Sequence, residues 1–245
     1  MHVLVTRPEA DAGPLRAQLE ALGHRVTVDP MLRVETLPIA PDALAGAAAL
    51  IFTSRNGVRA LATGPAMSEA RQLPVFAVGP GTAQLALEQG FAEVTTGKGT
   101  GAELVPILVE AAMSLKGALV HIRGKDVAYD LRQALATHAI AIREIPAYRT
   151  IPAQAFRPNT LELLQSGEIN AVVLMSPRTG ATFASLIANA GLENPAKKLV
   201  LLCLSVAVAK TVEPLGAARI EVANAPNTVD ILAAVTRVAT LWSGV

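Results

Sequence analysis

The sequence predicts an α/β fold in two similar lobes, each a parallel β-sheet flanked by helices, with a cleft between them. Three observations carry that expectation. Short β-rich apolar runs alternate with helix-like stretches from end to end, the pattern of parallel strands covered by helices. An internal duplication recurs at the scale of a domain. The composition, 245 residues of which 51% are hydrophobic, supplies enough apolar material for one large core or two modest ones.

Taken in chain order, His2–Thr6 reads as the first strand. Asp11 is placed to cap a helix that carries Leu15, Leu19 and Leu22 on one face and stops at Gly23. Arg25–Val28 is the next strand, followed by Ala49–Phe52, Val75–Val78, Ala118–Ile122, Ala139–Ile145, Ala171–Met175, Leu199–Leu204 and Arg219–Val222. The duplication shows in matched residues: Arg7 with Arg123, Leu15-Arg16 with Leu131-Arg132, Leu19 with Leu135, Pro30 with Pro146, and Arg33 with Arg149. All share one offset of 116 (123 minus 7), which holds through both a helix and a Pro-x-x-Arg element. Ala49–Ser54 then parallels Ala171–Ser176, Val78-Gly79 parallels Leu204-Ser205, and Thr100–Leu104 parallels Asn227–Ile231. Two similar halves imply two similar lobes, and the space between lobes is a common place for a ligand.

Charge and composition exclude several function classes. With 21 Lys+Arg against 20 Asp+Glu the net charge is +1, so no global basic field exists to hold nucleic acid. Mean hydropathy is +0.41, yet the longest apolar run, Leu199 to Ala209, is too short for a bilayer, which needs roughly 20 residues. Arg7, Glu9 and Asp11 interrupt any signal-like core near the start, so a cytoplasmic location is expected. The one cysteine, Cys203, gives neither an internal disulfide nor a thiolate metal cluster, and it reads as a small core residue. The four histidines lack metal-binding spacing. No metal and no cofactor are expected.

In parallel α/β sheets, ligands meet the loops after the carboxyl ends of strands, where helix amino termini present free N–H groups. Those loops here are Arg7-Pro8, Ser54-Arg55-Asn56-Gly57, Gly79-Pro80-Gly81-Thr82, Gly97–Gly101, Arg123-Gly124-Lys125, Ser176-Pro177-Arg178-Thr179-Gly180, Ser205 and Pro226-Asn227-Thr228. They combine glycines, hydroxyls and single cations, which suits a ligand with several carboxylates or phosphates. No loop carries a dinucleotide or P-loop fingerprint, and no GxSxG elbow occurs. Tyr148, one of only two tyrosines, stands where the first half has Leu32. The residues alone leave two roles open for it, a buried phenol satisfying a backbone carbonyl and a catalytic one. The broad alternative is a non-enzymatic two-lobed module that binds a polyanionic small molecule.

Thr6-Arg7-Pro8, Phe52–Val58, Val78–Ala83, Ile122-Arg123-Gly124 followed by Leu131, Ala147-Tyr148-Arg149-Thr150 and Ser176–Gly180 occur in an order that resembles the uroporphyrinogen-III synthase family across nearly the whole chain. The resemblance implies one lobe from 1–34 plus 151–245 and a second from 36–149. A two-strand linker near 30–36 and 145–151 would join them, with the active site in the cleft. It implies cyclisation of hydroxymethylbilane to uroporphyrinogen III with loss of water and inversion of the last pyrrole ring. Tyr148 matches the tyrosine that would assist hydroxyl departure, and Thr82 a hydroxyl facing the cleft. Arg7, Ser54, Asn56, Gly57, Gly79, Arg123, Gly124, Lys125, Ser176, Arg178, Gly180, Ser205 and Thr228 would hold substrate carboxylates. One departure stands out: the family often carries Gly-Pro-Thr or Ser-Glu-Arg where this chain reads Ser205-Val206-Ala207. Backbone contacts are expected there. The expected partner is the tetrapyrrole substrate alone, with nothing demanding more than a monomer and a transient contact with the preceding pathway enzyme left open.

Overall fold

The structure, a computed structural model, describes residues 1–127 and 129–242. It opens with strand β1 (His2–Val5), helix α1 (Glu9–Ala21), β2 (Arg25–Val28) and β3 (Leu32–Thr36). Next come β4 (Ala47–Phe52), α2 (Arg55–Ala62), the single turn α3 (Met67–Ala70), β5 (Val75–Ala77), α4 (Pro80–Glu88), β6 (Val94–Thr96) and α5 (Gly101–Ala112). β7 (Ala118–Gly124), α6 (Leu131–Ala136) and β8 (Ile142–Pro152) follow, then α7 (Pro158–Gln165), β9 (Ala171–Leu174) and α8 (Pro177–Asn189). The chain ends with α9 (Glu193–Ala196), β10 (Val200–Cys203), α10 (Val206–Val212), β11 (Arg219–Val222) and α11 (Thr228–Trp242). Contacts divide it into two units, Met1–Arg33 with Ile151–Val245, and Val34–Thr150.

The first unit holds a five-stranded parallel sheet in the order β11-β10-β9-β1-β2. Every residue of β1, β9 and β10 is buried, whereas the edge strands β2 and β11 are not. Helices on both faces require this, because alternate side chains of a central strand must all find apolar partners. Leu4, Val172, Leu174 and Leu201 point toward Leu163, Phe183 and Val208 of α7, α8 and α10. Val3, Val5, Val173 and Leu202 point the other way, toward Leu15 and Leu19 of α1 and Ile231 and Val235 of α11. Phe156 meets Phe183 edge to face at 5.8 Å, a geometry that adds about 0.5–1.5 kcal/mol to the burial of the rings.

The second unit repeats the plan with β3-β8-β7-β4-β5-β6, where β8, β7, β4, β5 and β6 pair in parallel. Leu50, Phe52, Val120 and Ile122 face Val58 and Leu61 of α2 and Ala83 and Ala86 of α4. Ala49, Ile51 and Leu119 face Leu104 and Leu108 of α5 and Leu131 and Leu135 of α6. Without β3 the two strand orders coincide, β6-β5-β4-β7-β8 matching β11-β10-β9-β1-β2. The chain enters the repeat at a different strand in each unit, so the units are permuted relative to one another although the matched residues stay in order along the sequence. Thr100 and Glu103 form a capping box on α5, and Asn227 caps α11 by accepting from the Asp230 N–H at 2.9 Å. The sequence parallel between those segments is therefore a repeated helix start.

Two expectations need correction, and two further strands emerge. α1 begins at an N-cap of Pro8, and Asp11 lies in its first turn, where its charge still favours the helix dipole. Ala139 does not start a strand: its φ of 58° is left-handed, and it closes α6 through Ile140 N–H to Leu135 O. Leu32–Thr36, in the segment expected to be one strand of the linker, is an edge strand beside β8, and the matching Pro-x-x-Arg element lies inside β8 itself. Val94–Thr96 is a short strand with no sequence signal, because no residue in it is buried. The side chain of Trp242 lies outside the described residues.

Candidate active site

In each sheet the strand order reverses at one point, between β4 and β7 in the second unit and between β9 and β1 in the first. At such switch points, adjacent crossovers leave to opposite faces and open a crevice at the carboxyl ends. The ends of β4 and β7 and the residues that follow them, into the first turn of α2, carry Ser54, Asn56 and Gly57 with Arg123, Gly124 and Lys125. The segments after β9 and β1, the former running into α8, carry Ser176, Arg178 and Gly180 with Arg7.

The second unit gathers its predicted residues around Tyr148. The bulge between Arg123 and Gly124 sets Gly124 opposite Tyr148 in the β7–β8 register. A Cβ on Gly124 would stand 2.9 Å from Cζ of the Tyr148 ring, so only glycine lets the ring lie there. The Lys125 N–H donates to the Tyr148 carbonyl at 2.8 Å, while its side chain is exposed. Tyr148 is 9% exposed, and its hydroxyl faces the Ser54 side chain. Burial raises the phenol's pKa above its ordinary value, and the Ser54 side chain offsets part of that rise. At neutral pH the group therefore keeps its proton and is equipped to donate it.

Ser54 also serves as the N-cap of α2, accepting from the Asn56 N–H at 3.1 Å. Gly57 lets α2 press on β7, since a Cβ there would fall 2.7 Å from the Ile122 carbonyl oxygen. Asn56 Oδ1 accepts from Arg59 at 3.0 Å. Gly79 begins α4 without a side-chain cap and packs against Gly99, while Thr82 in its first turn is buried. Arg123 is committed within the protein: its Nε is 3.1 Å from Glu144 Oε1, and its Nη1 donates to the carbonyls of Gly124 and Lys125 at 2.8 and 3.0 Å. Its charge thus acts on the loop it folds.

The first unit disperses its predicted residues over helix starts. Ser176 caps α8, accepting from the Thr179 N–H at 3.1 Å. Arg178 is exposed and borders a groove of about 320 Å³ with Pro152, Gln154, Ser185 and Asn189. Gly180 is buried where its missing Cβ would overlap Thr211 Oγ1, so it serves the packing of α8 on α10. Arg7 is half-buried after β1, Ser205 begins α10 without a side-chain cap, and Thr228 is the first residue of α11. The cap of α11 is its neighbour Asn227.

Sequence reasoning missed His121, Glu144 and Thr53. His121 is 1% exposed on β7, its Nε2 2.9 Å from Thr53 Oγ1 and its Nδ1 3.6 Å from Glu144 Oε1. Burial first and the Arg123 charge second push its pKa down to about 4, so the ring is neutral. The signal was available only as register: His121 stands opposite Glu144 across β7 and β8. Among the described residues, no group of three His, Cys, Asp or Glu is placed to hold a metal, and no helix is long and apolar enough to cross a membrane. Cys203 is buried, and burial pushes its thiol up to about 12, out of the reactive range.

The family model for Uroporphyrinogen-III synthase HemD matches residues 13–233. Solved structures share the fold. The uroporphyrinogen-III synthetase of Helicobacter pylori 26695 is 17% identical with a TM-score of 0.68, over 97% of this chain and 100% of that one. A mutant uroporphyrinogen III synthase of the extremely thermophilic bacterium Thermus thermophilus is 20% identical with a TM-score of 0.55, over 98% and 99%. No curated protein matches significantly.

Proposed function

The chain belongs to the uroporphyrinogen-III synthase family, and we propose that Tyr148 and the loops around it carry that family's reaction here. The enzyme is a cyclising hydro-lyase of tetrapyrrole biosynthesis, closing hydroxymethylbilane to uroporphyrinogen III with loss of water and inversion of the last pyrrole ring. Loss of the hydroxyl gives a cationic azafulvene. The substituted carbon of the last pyrrole attacks it, and the resulting spiro intermediate fragments and recloses with that ring turned over. The substrate supplies most of the reactivity, so the protein's work is to hold one conformer and to help the hydroxyl leave.

The observation that carries the reading is the seat of Tyr148, a protonated phenol buried against Gly124 and facing Ser54. Its O–H donates to the departing hydroxyl, and no charged group is needed to start the reaction. Lys125 and Arg178, both exposed, and Arg7 supply cations for the eight carboxylates. The backbone amides at Gly79 and Ser205, neither of which begins a helix with a side-chain cap, add donors. Ser54, Asn56 and Thr82 in the second unit, and Ser176 and Thr228 in the first, add polar side chains at the carboxyl ends of their own sheets. Arg123, Gly57 and Gly180 act through the shape of the loops and helices they fix. The protein works without a cofactor, as a cytoplasmic monomer that meets the preceding pathway enzyme only in passing. The binding-module alternative is not favoured by membership of an enzyme family.

Purified protein is mixed with freshly generated hydroxymethylbilane, and the oxidised products are separated by isomer. Uncatalysed closure yields mainly the type I isomer, so type III formed in the presence of a chelator supports both the activity and its independence of metal. Type I alone from folded protein refutes the activity.

A further inference from the structure

We propose that Glu144 is the positioning residue of the Tyr148 phenol, holding both segments that touch it through two arms, Arg123 on one side and His121 with Thr53 on the other. This rests on the reading of Tyr148 as the reacting phenol. Glu144 lies on β8 directly opposite His121 of β7, and its side chain is 15% exposed. A carboxylate so placed is largely shielded from water, so the cations beside it hold it firmly. Arg123 does so at 3.1 Å, and Arg132 of α6 stands at 4.0 Å.

The first arm runs from Glu144 to the Arg123 guanidinium, whose Nη1 holds the carbonyls of Gly124 and Lys125 at 2.8 and 3.0 Å. Gly124 is the floor beneath the phenol ring, and Lys125 holds the backbone of Tyr148. The second arm runs through His121. Its Nδ1 faces the same Glu144 oxygen at 3.6 Å, and its Nε2 is 2.9 Å from Thr53 Oγ1. With the ring neutral and the carboxylate beside Nδ1, the proton sits on Nδ1, and Nε2 accepts from the Thr53 hydroxyl. Thr53 immediately precedes Ser54, whose side chain faces the Tyr148 hydroxyl. One carboxylate thus sets the floor of the ring and the segment that faces its tip, although it belongs to neither loop.

The test uses Glu144→Gln, with Thr53→Val as a second, isosteric variant that cuts one arm and leaves every charge in place. Two readouts are taken, kcat and KM for the type III product, and the ultraviolet titration of the phenol in a Tyr129→Phe background, where Tyr148 is the only tyrosine. Glu144→Gln is expected to lower kcat at least tenfold with KM changed less than threefold. Adding it to Tyr148→Phe should then cost nothing further. In the titration, Tyr148 should ionise at lower pH than in the parent, as a loosened loop admits water. Thr53→Val should move both readouts in the same direction and by less. An unshifted titration overturns the proposal, and so does a kcat loss that multiplies with that of Tyr148→Phe. If Tyr148→Phe proves fully active, the catalytic reading fails on its own, and the titration alone then decides whether Glu144 positions the phenol.

Discussion

At the scale of single residues, burial keeps protons in place on Tyr148 and off His121. Tyr148 was legible as a rare phenol in a matching motif, but its approach to Ser54 and its glycine floor depend on a strand bulge that the sequence does not announce. Tyr148→Phe keeps the ring and removes the donor, so kcat should fall by about 100-fold or more while KM changes little. Steady-state kinetics on the isomer assay check this, and an unchanged kcat removes Tyr148 from the mechanism. His121 was invisible for a different reason: its partners sit on other strands and meet it only once the register is set. Its imidazole falls from an ordinary 6.5 to about 4 on folding. Between those values the unfolded chain binds more protons than the folded one, so stability rises with pH through the window and is lost on acidification. The loss from pH 7 to 4.5 is on the order of 2–3 kcal/mol. Urea midpoints at the two pH values, compared with His121→Asn, isolate the contribution. An equally steep loss in the variant would assign it to other groups.

At the scale of elements, the residues that looked like ligand grips divide into those that face outward and those that build helix starts. Ser54 and Ser176 cap α2 and α8, and Asn227 caps α11. Small and hydroxyl residues after a strand suit anion binding and helix capping equally, because both uses answer the same free N–H groups. Sequence alone therefore located the loops and left the uses unsorted. The strand missed at 94–96 lies at a sheet edge, where the apolar signal is weakest. Gly180 gives the clearest test of the sorting. A methyl there would overlap Thr211 Oγ1, which is already held by the Val208 carbonyl at 2.6 Å. Gly180→Ala should cost about 1–3 kcal/mol of stability through α8 and α10, with KM nearly unchanged. Thermal unfolding beside kinetics checks it, and a raised KM at unchanged stability would return Gly180 to the substrate.

At the scale of the whole molecule, the duplication visible as one constant offset becomes two sheets with one strand order, entered at different strands. That permutation has a consequence for folding. The second unit is continuous in sequence, and its sheet contains β4 through β8 with their helices and both cores. The first unit is discontinuous, and the segment before residue 34 supplies β1, which lies between β2 and β9. Without that segment the sheet loses Val3, Leu4 and Val5, all fully buried, and each such side chain contributes about 1.5–3 kcal/mol. Stability of a domain is only about 5–15 kcal/mol, so that loss is comparable to the whole. A fragment spanning residues 32–152 should fold alone and unfold cooperatively in urea, followed by circular dichroism. A fragment spanning residues 151–245 should show no cooperative transition until a 1–33 peptide is added. Cooperative unfolding of the second fragment by itself would mean that β9 to β11 and their helices form a core without β1, and that the duplicated unit is smaller than the sheet it builds.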